Sequence, residues 1–404
     1  MEEGRIIKAE NPCELSARTL QANSSVSVET VDDSLLAGLS DTYGDRVEKV
    51  LHSLNFMGSR YYFRLNSLVS DPVAVLDEIR STGIQAGLDE RVEGACFVPV
   101  RETSVQPQGV PVVADRFAAE AVLQGAHLYA PGVKRCQGLK AGREASIVDD
   151  GGRVAGSGVA RQGEKSILTI RRGVAVEVHE NRFGLPSLME TSWYQAGKIY
   201  LQSLPAMVTC IVLDPKRGEV IVDLNCAPGG KLSHICQLTG NTSETIGFDR
   251  NSRKLERTRN QLQRLGCKNY RLVSHDSRYA HVDYNFKADR VLVDPPCTGL
   301  GVTPKLSVET TVQDIRNLSR YQKQFLLAAS NLVKPGGTIV YSVCTITREE
   351  CEDVVDYGVK ELGLVLEAAE PMIGGRGFDE GGLTQRFDPD IHGSGYFIAR
   401  FRKT

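Results

Sequence analysis

The sequence predicts an α/β protein: a Rossmann-like core, doubly wound about a mostly parallel sheet, with a small α+β unit ahead of it and a β-rich insert between the two. Three observations carry this. From about residue 190, apolar runs at 220–224, 245–249, 270–275, 289–294 and 338–343 alternate with helical patterns, as strand–helix–strand units do. The first run leads into a glycine-rich turn, Ala227-Pro228-Gly229-Gly230-Lys231. Between about 110 and 188, short apolar runs alternate instead with closely spaced glycines, as expected of a compact barrel with tight turns.

Taken in order, residues 1–40 are rich in Ser, Thr and acidic side chains with weak periodicity, and read as a loosely held extension. Residues 41–109 form the small unit: Val47, Val50, Leu51 and Leu54 have helical spacing, Tyr61 to Asn66 is β-rich, and 72–81 is a second helix. Residues 110–188 are the insert and 189–404 the sheet domain. No stretch approaches the ~18 consecutive apolar residues of a membrane span, and no apolar h-region follows the N-terminus, so a globular, cytoplasmic protein without membrane association is expected. The ten cysteines include no C-x-x-C pair, which argues against a zinc site or a disulfide framework; no metal is expected. A net charge of −2 offers no global field for nucleic acid, so phosphate contacts must come from local clusters. Arg250, Arg253, Lys254, Arg257, Arg259 and Arg264 form one, and Lys134, Arg135, Lys140 and Arg143 another. A solvated helix face accounts for either cluster taken singly.

The glycine turn places flexible backbone at the start of a helix, where it can approach a ligand closely. Asp223, Asp249, Asp276 and Asp294 each stand at or just beyond the end of a predicted strand, the edge at which such sheets bind ligands. Asp249 suits two ribose hydroxyls. Helix capping explains any one of these acids, but not four in succession. A dinucleotide is disfavoured because the turn lacks G-x-G-x-x-G.

Two cysteines close neighbouring strands: Cys297 in Asp294-Pro295-Pro296-Cys297-Thr298-Gly299 and Cys344 in Tyr341-Ser342-Val343-Cys344-Thr345. Methyltransferases acting on exocyclic amines place an aromatic residue after the Pro-Pro, so Cys297 there turns the expectation toward carbon chemistry at C5 of a pyrimidine. That carbon becomes nucleophilic once a thiolate adds at C6. Asp294 would bond N3 of the base, Lys231 would hold that carboxylate, and the second thiol would assist release. Cys210, Cys236 and Cys267 read as small core hydrophobes.

At these residues the chain strongly resembles the Sun (Fmu/Nop) family of RNA 5-methylcytosine methyltransferases, which use S-adenosylmethionine. The likeness runs from about Tyr43 to the C-terminus, through Arg64-Leu65-Asn66, Cys226 to Lys231, Asp249 with Lys254, Asp276, Asp294 to Gly299, Tyr341 to Thr345, and Gly395-Tyr396-Phe397. It implies Cys344 as nucleophile, Cys297 as the release residue and Asp294 as the substrate-side acid. The implied cofactor contacts are the backbone of Cys226, Ala227, Pro228, Gly229, Gly230, Lys231 and Leu232, with Asp249 on the ribose, Lys254 nearby and Asp276 on the adenine side. Asn225-Cys226 departs from the small residues common there, and Ser394 from a common acid. The insert resembles a PUA domain through Ala118 to Val122, Leu128 to Val133 and Gly156-Ser157-Gly158. That combination implies a monomer acting on tRNA at the acceptor stem and CCA end, on the cytosine just before the discriminator base. A ribosomal RNA methyltransferase and a non-catalytic RNA-binding scaffold are the competing readings.

Overall fold

In the computed structural model, which describes Val26 and residues 30–404, the first regular element is helix α1 (Asp33–Tyr43). Its N-cap Asp32 accepts hydrogen bonds from the N–H groups of Ser34 and Leu35 at 3.0 and 3.2 Å. Leu35, Leu39 and Tyr43, spaced four apart, share one face and are buried with Val50, Leu51 and Leu54 of helix α2 (Val47–Ser53) and the residue after it. The same cluster takes in Leu300 and Ile346, just beyond Cys297 and Cys344. This corrects the expected loose extension over 1–40. Residues 1–25 and 27–29 lie outside the described residues, while 33–40 belong to a packed helix whose 35/39/43 spacing was masked by polar composition. Leu39→Ala should cost about 2–5 kcal/mol, read as a lowered urea midpoint; an unchanged midpoint would mean this face adds nothing to stability.

Strand β1 (Arg60–Leu65), helix α3 (Pro72–Ser81), strand β2 (Gly87–Leu88) and strand β3 (Ala95–Pro99) follow. Asp71 caps α3, with Pro72 in its first turn. Residues 102–184 then form a compact unit of their own. Strands β4 (Val110–Ala114), β5 (Leu128–Tyr129), β6 (Val133–Arg135), β7 (Glu144–Val148), β8 (Val154–Ala160) and β9 (Val174–Asn181) make one sheet in the order β5-β9-β8-β7-β4-β6, with helices α4 (Arg116–Leu123) and α5 (Glu164–Ile170). A Cβ on Gly158 of β8 would lie 2.1 Å from the Glu177 carbonyl oxygen, so only glycine permits that approach. The two ends of this unit run side by side: Thr103 N–H donates to the Arg182 carbonyl at 2.7 Å, and Arg182 Nη2 to Glu102 at 2.6 Å.

After helix α6 (Ser192–Gln195), strand β10 (Ile199–Leu201) pairs with the free edge of β1, giving a four-stranded sheet β10-β1-β3-β2. The small sheet is thus completed by a strand from beyond the insert. Helix α7 (Leu204–Leu213) leads into the main sheet, built from β11 (Val220–Asp223), β12 (Glu244–Asp249), β13 (Tyr270–Ser274), β14 (Ala288–Val293), β15 (Val333–Val343), β16 (Val365–Glu367), β17 (Gly375–Arg376), β18 (Gln385–Phe387) and β19 (Tyr396–Arg402). Helices α8 (Gly230–Leu238), α9 (Ser252–Arg264), α10 (Ala280–Asp283), α11 (Val312–Leu332), α12 (Glu352–Lys360) and α13 (Pro389–His392) connect them.

Strand order is β13-β12-β11-β14-β15-β19-β18-β17, parallel from β13 to β15 and antiparallel beyond, with β16 beside β19. Alternate residues serve opposite layers: Val222, Val291 and Ile339 pack with Phe325 and Leu326 of α11, while Ile221, Leu292 and Val340 pack with Met207 and Val208 of α7. Chain direction through the sheet reverses between β11 and β14. Their carboxyl ends therefore frame the crevice of a doubly wound fold. No helix among the described residues is long and apolar enough to cross a membrane.

Candidate active site

At the end of β11 the chain turns through Ala227 to Gly229 into α8. Gly229 has φ +106°, in the left-handed region, and a Cβ there would lie 3.2 Å from Thr258 Cγ2. The first-turn N–H groups of Gly230, Lys231 and Leu232 have no helical carbonyl to meet and form a cradle of donors. Cys226 sits differently from the rest of that run. Its N–H donates to the Phe248 carbonyl at 2.9 Å, and its thiol packs in the core against Gly247. Among the described residues, Asn225 Oδ1 is a buried acceptor with no partner beside this cradle.

Asp249 closes β12; Oδ1 accepts the Asn251 N–H at 2.7 Å, and Oδ2 accepts no hydrogen bond among the described residues. Asn251 caps α9, on which Lys254 is exposed. Asp276 is engaged more tightly, by Arg278 Nε at 2.9 Å and Nη2 at 2.5 Å, and that bond holds its carboxyl below the usual carboxylate range. Backbone donors at the helix start, an open carboxylate oxygen at the neighbouring strand end and an unpartnered amide oxygen fit a nucleoside that carries an amino acid.

Across the crevice, Asp294 follows β14. Oδ2 accepts from Lys231 Nζ at 2.6 Å, and Oδ1 from Ser342 Oγ at 2.8 Å and the Tyr396 hydroxyl at 3.3 Å. Burial alone would push Lys231 down, but the charge of Asp294 and the hydrogen bond to it outweigh burial and hold the ammonium well above its ordinary range. Cys344 Sγ lies 3.3 Å from Cys297 Sγ, hydrogen-bonding distance and far beyond a bonded ~2.05 Å. The pair is asymmetric. Their mutual hydrogen bond lowers Cys344, with Lys231 and Lys305 assisting against burial and Asp294; the same bond, then burial, raises Cys297. Cys344 is thus the readier thiolate and Cys297 the thiol that donates to it.

The structure brings Cys344, Cys297, Asp294 and Lys231 together, with the Ala227–Leu232 turn beside them. Sequence reasoning left out Ser342 and Tyr396. Ser342 was within reach, because the period of two puts it on the same face of β15 as Cys344; Tyr396 arrives only through the antiparallel pairing of β19 with β15.

Asp223, at the end of β11, is 1% exposed, and burial raises its carboxyl to about 7. The folded protein therefore holds a proton that the unfolded chain releases from about pH 4 upward. Stability falls as pH rises from there to about 7, by an amount on the order of a few kcal/mol. Asp223→Asn, which keeps an acceptor for the Asn225 N–H (3.0 Å in the native protein), should melt above the native protein at pH 8 and alongside it at pH 4. A melting difference independent of pH would contradict this.

The doubly wound fold and the donor cradle at its crevice define a methyltransferase. Residues 210–402 match the family model described as 16S rRNA methyltransferase RsmB/F, and residues 111–181 match the PUA domain. The chain is 40% identical to the tRNA (cytosine(72)-C(5))-methyltransferase of Pyrococcus horikoshii, over 89% of this chain and 93% of that one. It is 37% identical to the human 28S rRNA (cytosine(4447)-C(5))-methyltransferase, over 53% of this chain and 28% of the relative. The crystal structure of NSun6 from Pyrococcus horikoshii with SFG superposes with a TM-score of 0.83 at 38% identity, covering 92% of this chain and 98% of that one. The chain belongs to the Sun/Nop family of S-adenosylmethionine-dependent RNA 5-methylcytosine methyltransferases, in the form that carries a PUA domain.

Proposed function

We propose that this protein methylates C5 of the acceptor-stem cytosine just before the discriminator base of tRNA. The observation that carries the reading is the extent of likeness. The tRNA-named relative of Pyrococcus horikoshii is 40% identical over 89% of the chain, whereas the ribosomal RNA relatives combine 37% identity with 53% coverage or 27% identity with 72% coverage. The core is shared by enzymes of both substrates, and a match over 89% of the chain cannot leave out the whole PUA domain at 111–181.

In this reading the Cys344 thiolate adds to C6 while N3 takes up a proton from water and donates it in a hydrogen bond to the Asp294 carboxylate, which Lys231, Ser342 and Tyr396 steady; the protonated N3 draws charge from the ring. The methyl carbon that C5 takes up is supplied by bound S-adenosylmethionine, held by the Ala227–Leu232 turn and Asp249, with Lys254 and Asp276 flanking. Once the Cys344 sulfur is bonded to carbon its negative charge is gone, which removes the largest influence keeping the proton on Cys297. Cys297 can then ionise and take the C5 proton, and the C6–S bond breaks to return the Cys344 thiolate. The 102–184 unit reads the acceptor end in this scheme.

The test is methyl transfer from labelled S-adenosylmethionine into total tRNA with and without the terminal CCA, sites mapped by bisulfite sequencing. One modified cytosine beside the discriminator base, lost on trimming, is expected. Labelling confined to ribosomal RNA would overturn the substrate, and no labelling of any RNA would overturn the activity.

A further inference from the structure

Glu350 is fully buried in the loop after Cys344 and touches both cysteine turns. Its Oε1 accepts from the Thr298 N–H and from Gln322 Nε2, both at 2.9 Å. Its Oε2 accepts from the hydroxyls of Thr298 at 2.6 Å and of Thr345 and Thr347 at 3.0 Å each. Thr298 follows Cys297 and Thr345 follows Cys344; their own hydroxyl oxygens are 2.7 Å apart. Gln322, on α11 and equally buried, also donates to the Pro296 carbonyl at 3.1 Å and accepts from the Tyr341 hydroxyl at 3.1 Å.

Among the described residues Glu350 makes no ion pair. A buried carboxylate costs several kcal/mol unless its lone pairs are met, and here every donor comes from the cysteine loops or from the helix behind them. A structural anchor would ordinarily be a pair such as Arg386 with Glu352, bidentate at 2.6 Å and 2.6 Å. Glu350 instead leaves an uncompensated negative charge beside the reacting thiols, with two of its bonds to the residue after Cys297 and one to the residue after Cys344.

We propose that Glu350 is a positioning residue for the thiol pair: it fixes the two cysteine turns at one separation and decides which thiol attacks. This rests on the methyl-transfer reading above. Around the pair, Lys231, Asp294 and Lys305 bear on Cys344, while Glu350 bears on Cys297. On Cys344 the hydrogen bond from Cys297 favours a thiolate and the two cations offset Asp294, while on Cys297 the buried carboxylate disfavours one.

Glu350→Gln keeps the shape and removes the charge. The first readout is iodoacetamide alkylation of the full-length protein from pH 6 to 10, with the modified cysteine located by mass spectrometry. In the native protein Cys344 should react at a lower pH than Cys297. In Glu350→Gln the two profiles should converge. The second readout is single-turnover methylation, expected to fall about 10-fold or more with affinities for RNA and S-adenosylmethionine unchanged. Glu350→Asp, which retains charge but shortens the arm, should keep the alkylation order while losing rate. If Glu350→Gln does not fold, Thr298→Val, which deletes one hydroxyl donor, should show a smaller loss in the same direction, about 3- to 10-fold. Native alkylation order and native rate in the folded variant would overturn the proposal. Alkylation uses neither RNA nor methyl donor, so its outcome is separable from a failure of the substrate reading.

Discussion

Cys344→Ala is expected to lose methyl transfer by about four orders of magnitude or more, and Cys297→Ala to accumulate protein covalently attached to RNA. The two thiols are 3.3 Å apart yet unequal. Cys344 has Lys231 and Lys305 to support a thiolate, whereas Cys297 carries the donated proton beside a buried carboxylate. Removing Cys344 removes the atom that adds to C6. Removing Cys297 leaves attack and methyl uptake possible but takes away the group placed to collect the C5 proton, so the adduct cannot resolve. A denaturing gel separates the cases: Cys297→Ala should give a slow-migrating band that nuclease collapses, and Cys344→Ala none. Equal residual turnover in the two variants, or adduct from Cys344→Ala, would refute this division of labour.

Asp294→Asn should lower kcat by about 10²- to 10⁴-fold with little change in KM for RNA. An amide retains an acceptor for Ser342 Oγ and the Tyr396 hydroxyl, now at 2.8 and 3.3 Å, so the side chain should stay in place. What it loses is the charge that holds Lys231 Nζ at 2.6 Å and that would stabilise a proton on N3 of the base. The result is a rate defect in a folded protein. Single-turnover rates with RNA and cofactor both saturating would show it; a rate within about threefold of native would exclude Asp294 from the chemistry.

Much of the site was legible because the reacting groups sit in short contiguous motifs at strand ends. A strand running into Gly229-Gly230, and two strands running into Cys297 and Cys344, carry their meaning locally, and the doubly wound order brings those ends together. The supporting groups were not legible, for a physical reason. Gln322 and Tyr396 reach the crevice from a helix and an antiparallel strand whose placement depends on tertiary packing, and Glu350 acts through hydrogen bonds to residues more than 25 positions away as well as to near neighbours. The Arg278–Asp276 contact lay within two residues and was readable, yet chain position alone does not distinguish an acid awaiting a ligand from one already paired. Helix α1 was missed because polar composition outweighed a correct four-residue apolar spacing, and β10 because its partner β1 lies more than 130 residues upstream.

The pairing of Thr103 with Arg182 bears on how such a chain can be taken apart. Because residues at its two ends are hydrogen-bonded to each other, the 102–184 unit begins and ends at one place, the arrangement at which excision and transplantation succeed. The chain could then be prepared as a pair of proteins, one carrying the crevice without the 102–184 unit and one carrying that unit alone, and the isolated unit could be grafted elsewhere to find what it contributes.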